Sequence, residues 1–268
     1  TGFLALCSSN LPDTTISPNQ DTQATDHFDT ILRVGHGTSG GSTSANFKAD
    51  WIWEKARNSA QSHYLIDSSR GIVDGSTQAL ITNTTNAELT ANWYKPPTSS
   101  SLEFNTNDWA SSFSLVDWIW KANGGTTSSN TDGTIPSTVQ ANTDAGFSIV
   151  TYTGTGSNGT VGHGLGAVPK MMIAKRRDST SHWVVYHQDL TDASYWIALN
   201  LSNAQDVEAT HWNSTAPTST LINLGSSTNT NGSSATYVIY AFTEASGFSR
   251  MGTYIGNGSA TDGTYVFC

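Results

Sequence analysis

Phe28-Asp29-Thr30-Ile31-Leu32-Arg33-Val34-Gly35-His36-Gly37 returns 119 residues later as Phe147-Ser148-Ile149-Val150-Thr151-Tyr152-Thr153-Gly154-Thr155-Gly156. The match continues in order, because Ser62-His63-Tyr64 corresponds to Ser181-His182-Trp183 and Pro97-Thr98-Ser99 corresponds to Pro217-Thr218-Ser219. A series of matches in one register indicates a duplicated module rather than chance similarity. Tandem modules usually build length and surface, so the repeat favours a structural function over a single catalytic cleft.

Short strands are predicted along most of the chain. Residues Val116-Asp117-Trp118-Ile119-Trp120 alternate, which places Val116, Trp118 and Trp120 on one face of a strand. Residues Tyr237-Val238-Ile239-Tyr240-Ala241-Phe242 form a continuous apolar run, which predicts a strand covered on both faces. Asn-Gly and Asp-Gly pairs, which tolerate the positive φ of tight turns, separate the strands. We therefore predict an all-β fold of two tandem homologous β-sandwich domains with extended terminal segments.

The repeat also predicts the domain boundaries. In chain order we expect an N-terminal extended segment (1–27), β-sandwich repeat 1 (28–123), a linker rich in Ser, Thr and Gly (124–145), β-sandwich repeat 2 (146–246) and the start of a truncated third repeat (247–268). The last of these rests on Gly247-Phe248-Ser249, which restates Gly146-Phe147-Ser148. Short helices are expected only at 86–89 and 203–206. A sandwich fragment has unpaired edges, so the terminal segments are expected to pack on neighbouring modules or subunits.

Composition excludes two classes of partner. The formal net charge is −9 and the chain contains no basic run, so nucleic acid is not an expected partner. No apolar stretch approaches the roughly 20 residues that cross a bilayer, so we expect no membrane insertion. Charged residues make up only 12% and aromatic residues 10% of the chain, a combination typical of β-rich virion or extracellular proteins.

The two cysteines, Cys7 and Cys268, lie near opposite ends of the chain. Two interpretations stay open: they are unpaired thiols, or they form a disulfide within one chain or between neighbouring subunits. Spacing alone does not give the geometry that a disulfide requires.

The second repeat resembles a known group of proteins. The pattern carrying this resemblance runs from Gly146 to Gly156, continues through Val161-Gly162-His163-Gly164-Leu165-Gly166, and ends with Trp212 to Thr218 before the strand at 237–242. It is similar to repeats in large tail-fibre and other virion structural proteins of marine tailed bacteriophages. The resemblance implies a virion or extracellular location, a structural function, and partners that are copies of the chain and other virion proteins.

No catalytic, cofactor-binding or metal-binding residue is proposed from the sequence. The histidines lack zinc-site spacing, and the recurrence of His63 as His182 is explained by a shared structural position. Trp51, Trp53, Trp118 and Trp120 are expected in the core. Trp93, Trp109 and Trp212 lie in polar, loop-like contexts and are therefore candidates for contact with cell-surface glycans.

Several asparagines begin the Asn-x-Ser/Thr pattern of N-glycosylation. They are Asn83, Asn158, Asn200, Asn213, Asn231 and Asn257. In a virion protein these sites would be idle, whereas in a secreted protein of a glycosylating cell they would carry sugar.

The sequence thus predicts a non-enzymatic structural subunit of a virion appendage or extracellular fibre, assembled through β-sandwich modules and shared terminal strands. Two alternatives remain: a carbohydrate-binding host-adhesion module, and a secreted, glycosylated cellular filament protein. A polysaccharide-degrading enzyme would require a cleft that contains two carboxylates at glycosidase spacing.

Overall fold

The computed structural model describes residues 22–259 and 261–264, and within them the fold is all-β. Two short 3-10 helices, Ala24–Asp26 and Gly37–Ser39, lie in the first half. The strands of the first half are β1 (Phe28–Val34), β2 (Gly41–Ser44), β3 (Trp51–Ala56), β4 (Tyr64–Asp67), β5 (Thr77–Ile81), β6 (Leu89–Ala91), β7 (Tyr94–Lys95), β8 (Ser101–Phe104) and β9 (Ser114–Trp120). The strands of the second half are β10 (Ser128–Asn130), β11 (Ser137–Asn142), β12 (Phe147–Thr153), β13 (Gly159–Gly162), β14 (Met171–Arg176), β15 (Val184–His187), β16 (Tyr195–Ala198), β17 (Asp206–Val207), β18 (Leu221–Leu224) and β19 (Thr236–Phe242).

Each half pairs one large sheet with one small sheet. The first half has a six-stranded sheet, β1-β9-β3-β4-β5-β6, and a three-stranded sheet, β2-β8-β7. The second half has an eight-stranded sheet, β10-β11-β12-β19-β14-β15-β16-β17, and a two-stranded sheet, β13-β18. All of these strand pairs are antiparallel. The order β1-β9-β3-β4-β5-β6 has the same form as β12-β19-β14-β15-β16-β17 within the larger sheet.

Three apolar clusters lie between successive sheets. In the first half, Ile52 and Ile119 of the six-stranded sheet pack against Phe104 of the small sheet. In the second half, Ile239 packs with Ile222 in the same way. The third cluster lies between the two large sheets and contains residues of both halves: Trp51, Leu65, Leu80, Ala122, Phe147, Ile149, Ile173, Trp183, Val185, Val238, Tyr240 and Phe242. We call this third cluster the shared face.

Strand β19 confirms the prediction that the apolar run at 237–242 is covered on both sides. It lies between β12 and β14 in the eight-stranded sheet, and every residue from Tyr237 to Phe242 is buried. Alternate side chains point to opposite faces of a strand. Tyr237 therefore lies in the second-half core, whereas Tyr240 lies on the shared face.

Two local expectations differ from the structure. The segment 124–145, expected as a linker, contains β10 and β11, which pair with one another and onto β12. Val139 and Ala141 of β11 alternate toward the second-half core, which explains why a polar segment joins the sheet. The expected helices at 86–89 and 203–206 do not form: each segment is irregular up to its last residue, which begins the edge strand β6 or β17.

After Phe242, the described residues form one isolated bridge, between Ala245 and Ser249, and no further strand. Phe248 in this segment lies 6.0 Å from the ring of His27. Cys7 and Cys268 lie outside the described residues. No helix in the described part of the chain is long and apolar enough to cross a membrane.

Candidate functional site

Two of the three candidate glycan-contact tryptophans lie side by side. Trp93, in the turn between β6 and β7, packs on Tyr64 with ring centroids 4.6 Å apart and an interplanar angle of 71°. Trp109, in the loop between β8 and β9, lies 5.9 Å from the same Tyr64 ring. With the exposed amide side chains of Gln61 and Asn107, these rings line a cleft of about 200 Å³. We call these five residues the aromatic cleft.

Trp109 is held in place by buried groups. Its indole N–H donates a hydrogen bond to Oε1 of Glu54, a residue of β3 that is fully buried. Its backbone carbonyl accepts a hydrogen bond of 2.8 Å from the N–H of Gly37. At Gly35 a Cβ atom would lie 2.1 Å from that carbonyl oxygen, so only glycine allows this approach of the two loops. The cleft wall is therefore preorganised by the core beneath it.

A buried charge cluster lies under the cleft. The guanidinium of Arg33 contacts Glu54, Asp117 and Asp108, with distances of 2.7 Å to Asp117 Oδ2 and 2.8 Å to Asp108 Oδ2. The Tyr94 hydroxyl donates to Glu54 Oε2 at 2.8 Å. Burial, followed by the charge of Asp117, raises the pKa of Glu54 to about 8. Burial also raises the pKa of Asp117. These shifts favour the neutral form of the carboxyl groups, which reduces the excess negative charge around one arginine.

The aromatic cleft has the chemistry of a neutral sugar site. Aromatic faces pack against the apolar C–H faces of pyranose rings, and primary amides donate to and accept from hydroxyls. The side chains of Glu54 and Asp117 lie behind the cleft wall, and both are fully shielded from solvent. They are bonded to Arg33 rather than facing the hollow, so the cleft lining consists of aromatic rings and amides.

Trp212, the third candidate tryptophan, does not lie on the surface. Its side chain is 1% exposed and packs in the second-half core, where the ring of Tyr186 lies 6.2 Å away. The polar residues around it in the sequence misled the prediction, because they form exposed turns over a buried ring. Trp212 is therefore corrected to a core residue, which has no face available for a glycan.

The six candidate glycosylation sites differ in the solvent exposure of their asparagines. Asn83, Asn158, Asn213 and Asn257 are exposed and Asn200 is half-buried. Asn231 is fully buried, and its Nδ2 donates to the carbonyls of Ser157 and Gly225 at 2.7 and 2.8 Å. Because Nδ2 is the atom that would carry a sugar, Asn231 is corrected to a structural residue. The other five remain predictions of the secreted-filament alternative.

His63 and His182, which recur at equivalent positions of the repeat, each contact an asparagine in the structure. Asn200 Nδ2 lies 3.2 Å from His182 Nδ1, and His63 donates its backbone N–H to Asn83 Oδ1 at 3.0 Å. Within residues 22–259 and 261–264, no group of three His, Cys, Asp or Glu side chains is placed to hold a metal ion.

Sequence reasoning missed Gln61, Tyr64 and Asn107 of the cleft and the charge cluster beneath it. A signal for the cluster was present in β9, where Asp117 alternates onto the same face as the buried Leu115 and Ile119. A carboxylate on an apolar face requires a buried partner. No comparable local signal identifies Gln61 or Asn107, which are ordinary polar residues of turns.

Comparison with known proteins gives a family match. No curated protein and no solved structure matches the chain. A family match covers residues 23–268, which includes both halves of the fold. The chain therefore belongs to the family described as Domain of unknown function (DUF7483).

Proposed function

We propose that this chain is a non-enzymatic structural subunit of a virion appendage or extracellular fibre, built from two homologous β-sandwiches in tandem. The observation that carries the proposal is the shared face, where large aromatic side chains of both halves pack together. Trp51 of β3 lies 5.9 Å from Phe147 and 5.6 Å from Tyr240, measured between ring centroids. An apolar face of this kind resembles a domain core rather than a mobile contact between domains.

The common strand order supports the homology of the two halves. Six strands of the first large sheet have counterparts in the same order in the second, and β2 and β8 correspond to β13 and β18 in the small sheets. This correspondence agrees with the sequence repeat that relates Phe28 to Phe147. A duplicated unit whose copies stack on each other is the usual construction of elongated structural proteins.

Polar ties across the shared face also favour a structural role. Arg70 of the first half contacts Asp67 and Glu88, and Glu88 contacts Arg177 of the second half at 2.8 Å. The hydroxyl of Tyr240 donates to Asp67 Oδ2 at 2.6 Å. A network of this kind fixes the relative position of its members, because breaking one contact leaves a buried charge without a partner.

Assembly of the purified chain tests this proposal. Sedimentation velocity over a hundredfold range of concentration, followed by negative-stain electron microscopy, is expected to detect oligomers or filaments of uniform width. A matched sample that lacks residues 248–268 is expected to assemble less, because terminal segments are proposed to be shared. A chain that stays monomeric at every concentration and cleaves an oligosaccharide contradicts the proposal.

The aromatic cleft favours a second candidate function, carbohydrate binding during host adhesion. Tryptophan fluorescence titration against a panel of neutral oligosaccharides is expected to detect binding that Trp93→Ala abolishes. Trp118→Ala is the matched control, because Trp118 is a half-buried tryptophan that lines a different surface groove. Binding that survives Trp93→Ala, or no binding by any member of the panel, contradicts this candidate.

A further inference from the structure

A cavity of about 250 Å³ lies between the two halves, at the margin of the shared face. Its lining is mainly aromatic, with rings from Phe28, Trp51, Trp53, Trp120, Phe242 and Phe248. None of the described residues that line it is Asp, Glu, Lys, Arg or His. A dry apolar cavity of about 150 Å³ is large enough to bind benzene, so this cavity has room for a substituted ring. We call it the inter-half cavity.

The rings around the inter-half cavity hold one another in place. Trp51 packs edge-on against Trp53 and Trp120, with ring centroids 5.8 Å and 4.6 Å apart. Phe242 lies 6.4 Å from both Trp51 and Trp120 in the same edge-on arrangement. A ring that turned inward to fill the space would break several of these edge-to-face contacts. The cavity is therefore a preformed feature of the contact between the two halves.

One hydrogen-bond donor of the lining has no partner in the described part of the chain. Trp51 is 1% exposed, and its indole Nε1 has no acceptor among the described residues. The neighbouring Trp53 differs, because its indole N–H donates to Thr82 Oγ1 at 3.1 Å. Buried polar groups are normally paired, and a buried donor without an acceptor is costly. An acceptor atom on a molecule in the cavity would supply the missing partner.

The segment after β19 supplies one wall of the cavity and a route of entry. Phe248 and Met251 of this segment line the cavity and are only half-buried. Its described residues are held by the isolated bridge between Ala245 and Ser249 and by Gln188, whose Nε2 donates to the Met251 carbonyl at 3.3 Å. A segment outside the sheets opens locally at lower cost than a strand does. A small molecule can therefore enter without separating the two large sheets.

We propose that the inter-half cavity binds a small, neutral, mainly apolar molecule with one hydrogen-bond acceptor, which accepts the indole N–H of Trp51. An aryl ketone is the simplest molecule of this class. A charged ligand does not fit, because the described lining offers no ion to pair with a charge taken out of water. The cavity shares no described lining residue with the aromatic cleft, so this binding is independent of glycan contact and of fibre assembly.

Two probes of nearly the same shape test the proposal on the full chain. Acetophenone carries a carbonyl oxygen, whereas α-methylstyrene carries a methylene group in its place. Each probe is titrated against the isotope-labelled protein, and proton–nitrogen correlation NMR follows the indole N–H groups. The Trp51 resonance is identified by its absence from the spectrum of Trp51→Phe. Acetophenone is expected to bind with a Kd below about 1 mM, as befits a molecule of its size.

The Trp51 indole proton gives the decisive readout. Both probes bring a ring close to it, so a difference between their effects reports the hydrogen bond alone. A downfield shift that acetophenone causes and α-methylstyrene does not cause supports the proposal. Failure of acetophenone to bind overturns the proposal. Binding of both probes with the same effect on the Trp51 resonance also overturns it, because no acceptor is then recognised.

A second variant keeps the test independent of Trp51→Phe. Phe248→Ala removes one ring of the lining from a half-buried position outside the sheets. It is expected to weaken acetophenone binding by about fivefold or more, because an aromatic contact and buried apolar area are lost. Tyr254→Ala is the matched control, since Tyr254 is an aromatic residue of the same segment that is 68% exposed and lies outside the lining. Equal affinity in Phe248→Ala and Tyr254→Ala overturns the proposal.

Discussion

Trp183, the residue directly before β15, donates its indole N–H to the backbone carbonyl of Ile81 at the end of β5, at 3.0 Å, and so joins the second half to the first. Trp183 belongs to the shared face, and Ile81 is buried as well. Nearby, the N–H of Ser181 donates to the carbonyl of Thr85 at 2.9 Å. The two halves are thus connected by backbone acceptors as well as by aromatic packing.

Trp183→Phe is expected to lower the free energy of unfolding by about 2–4 kcal/mol, because it leaves the Ile81 carbonyl unpaired and a void beside it. Urea unfolding monitored by circular dichroism measures this change. Trp118→Phe is the matched control, since Trp118 is half-buried on another surface, and its effect is expected to stay below about 1 kcal/mol. Equal losses in the two variants would mean that the cross-half contact contributes nothing specific.

Arg33→Met is expected to destabilise the protein by about 3–5 kcal/mol, because Glu54, Asp108 and Asp117 then lose their buried cation. Arg176→Met is the control. It removes a partly exposed ion pair with Asp178 and is expected to change the free energy of unfolding by less than about 1 kcal/mol. Guanidinium denaturation of the two variants provides the comparison. A loss at Arg33 no larger than the loss at Arg176 would show that the cluster does not depend on its arginine.

Stability is expected to fall as the pH is lowered from about 6.5 to about 4. Burial lowers the pKa of His211 from 6.5 to about 4, so the unfolded chain binds more protons than the folded chain in this window. The contribution of His211 is at most about 3 kcal/mol, and it is present above the unfolded pKa. Burial lowers the pKa of His163 as well, which adds in the same direction.

Urea midpoints measured at several pH values check the histidine contribution. His211→Gln is expected to flatten, without abolishing, the dependence of the midpoint on pH between 6.5 and 4. Identical slopes in the variant and the unmodified protein would exclude His211 as a source of acid sensitivity.

Gly35→Ala is expected to lower the free energy of unfolding by about 1–3 kcal/mol, because the added methyl meets the Trp109 carbonyl and pushes its loop outward. Thermal unfolding measures the loss. The near-ultraviolet circular dichroism of the cleft aromatics is expected to change as well. Gly256→Ala is the control, since nothing lies within 4 Å of a Cβ at that position. An unchanged spectrum in Gly35→Ala would contradict the close packing of these loops.

The elements that could be predicted are those with a strong local pattern. The apolar run of β19 required no knowledge of distant partners, because burial on both faces is visible in the sequence itself. The alternation of β9 is visible too, but the expected core position of Trp118 was wrong, because Trp118 is half-buried and lines a surface groove beside Val116. The role of Asp117 could not be assigned in the same way. Its partner Arg33 lies 84 residues away, and only the fold brings the two together.

The aromatic cleft was predicted in part. Polar neighbours indicated loops at Trp93 and Trp109, and the structure places both in turns beside Tyr64. The same reasoning misplaced Trp212, because a ring in a turn can point inward as readily as outward. The direction of the Trp212 side chain is set by its packing against Ile222 and the other residues of the second-half core. Sequence periodicity does not indicate the direction of a side chain that lies outside a strand.

The union of the two halves depends most on the shared face around Trp51 and Tyr240, and differential scanning calorimetry tests it directly. The unmodified chain is expected to unfold in a single transition whose calorimetric and van't Hoff enthalpies agree. Trp51→Ser is expected to separate the transition into two, because the halves then lose much of their common core. Two independent transitions in the unmodified chain, unaffected by Trp51→Ser, would contradict the claim that the two halves form one structural unit.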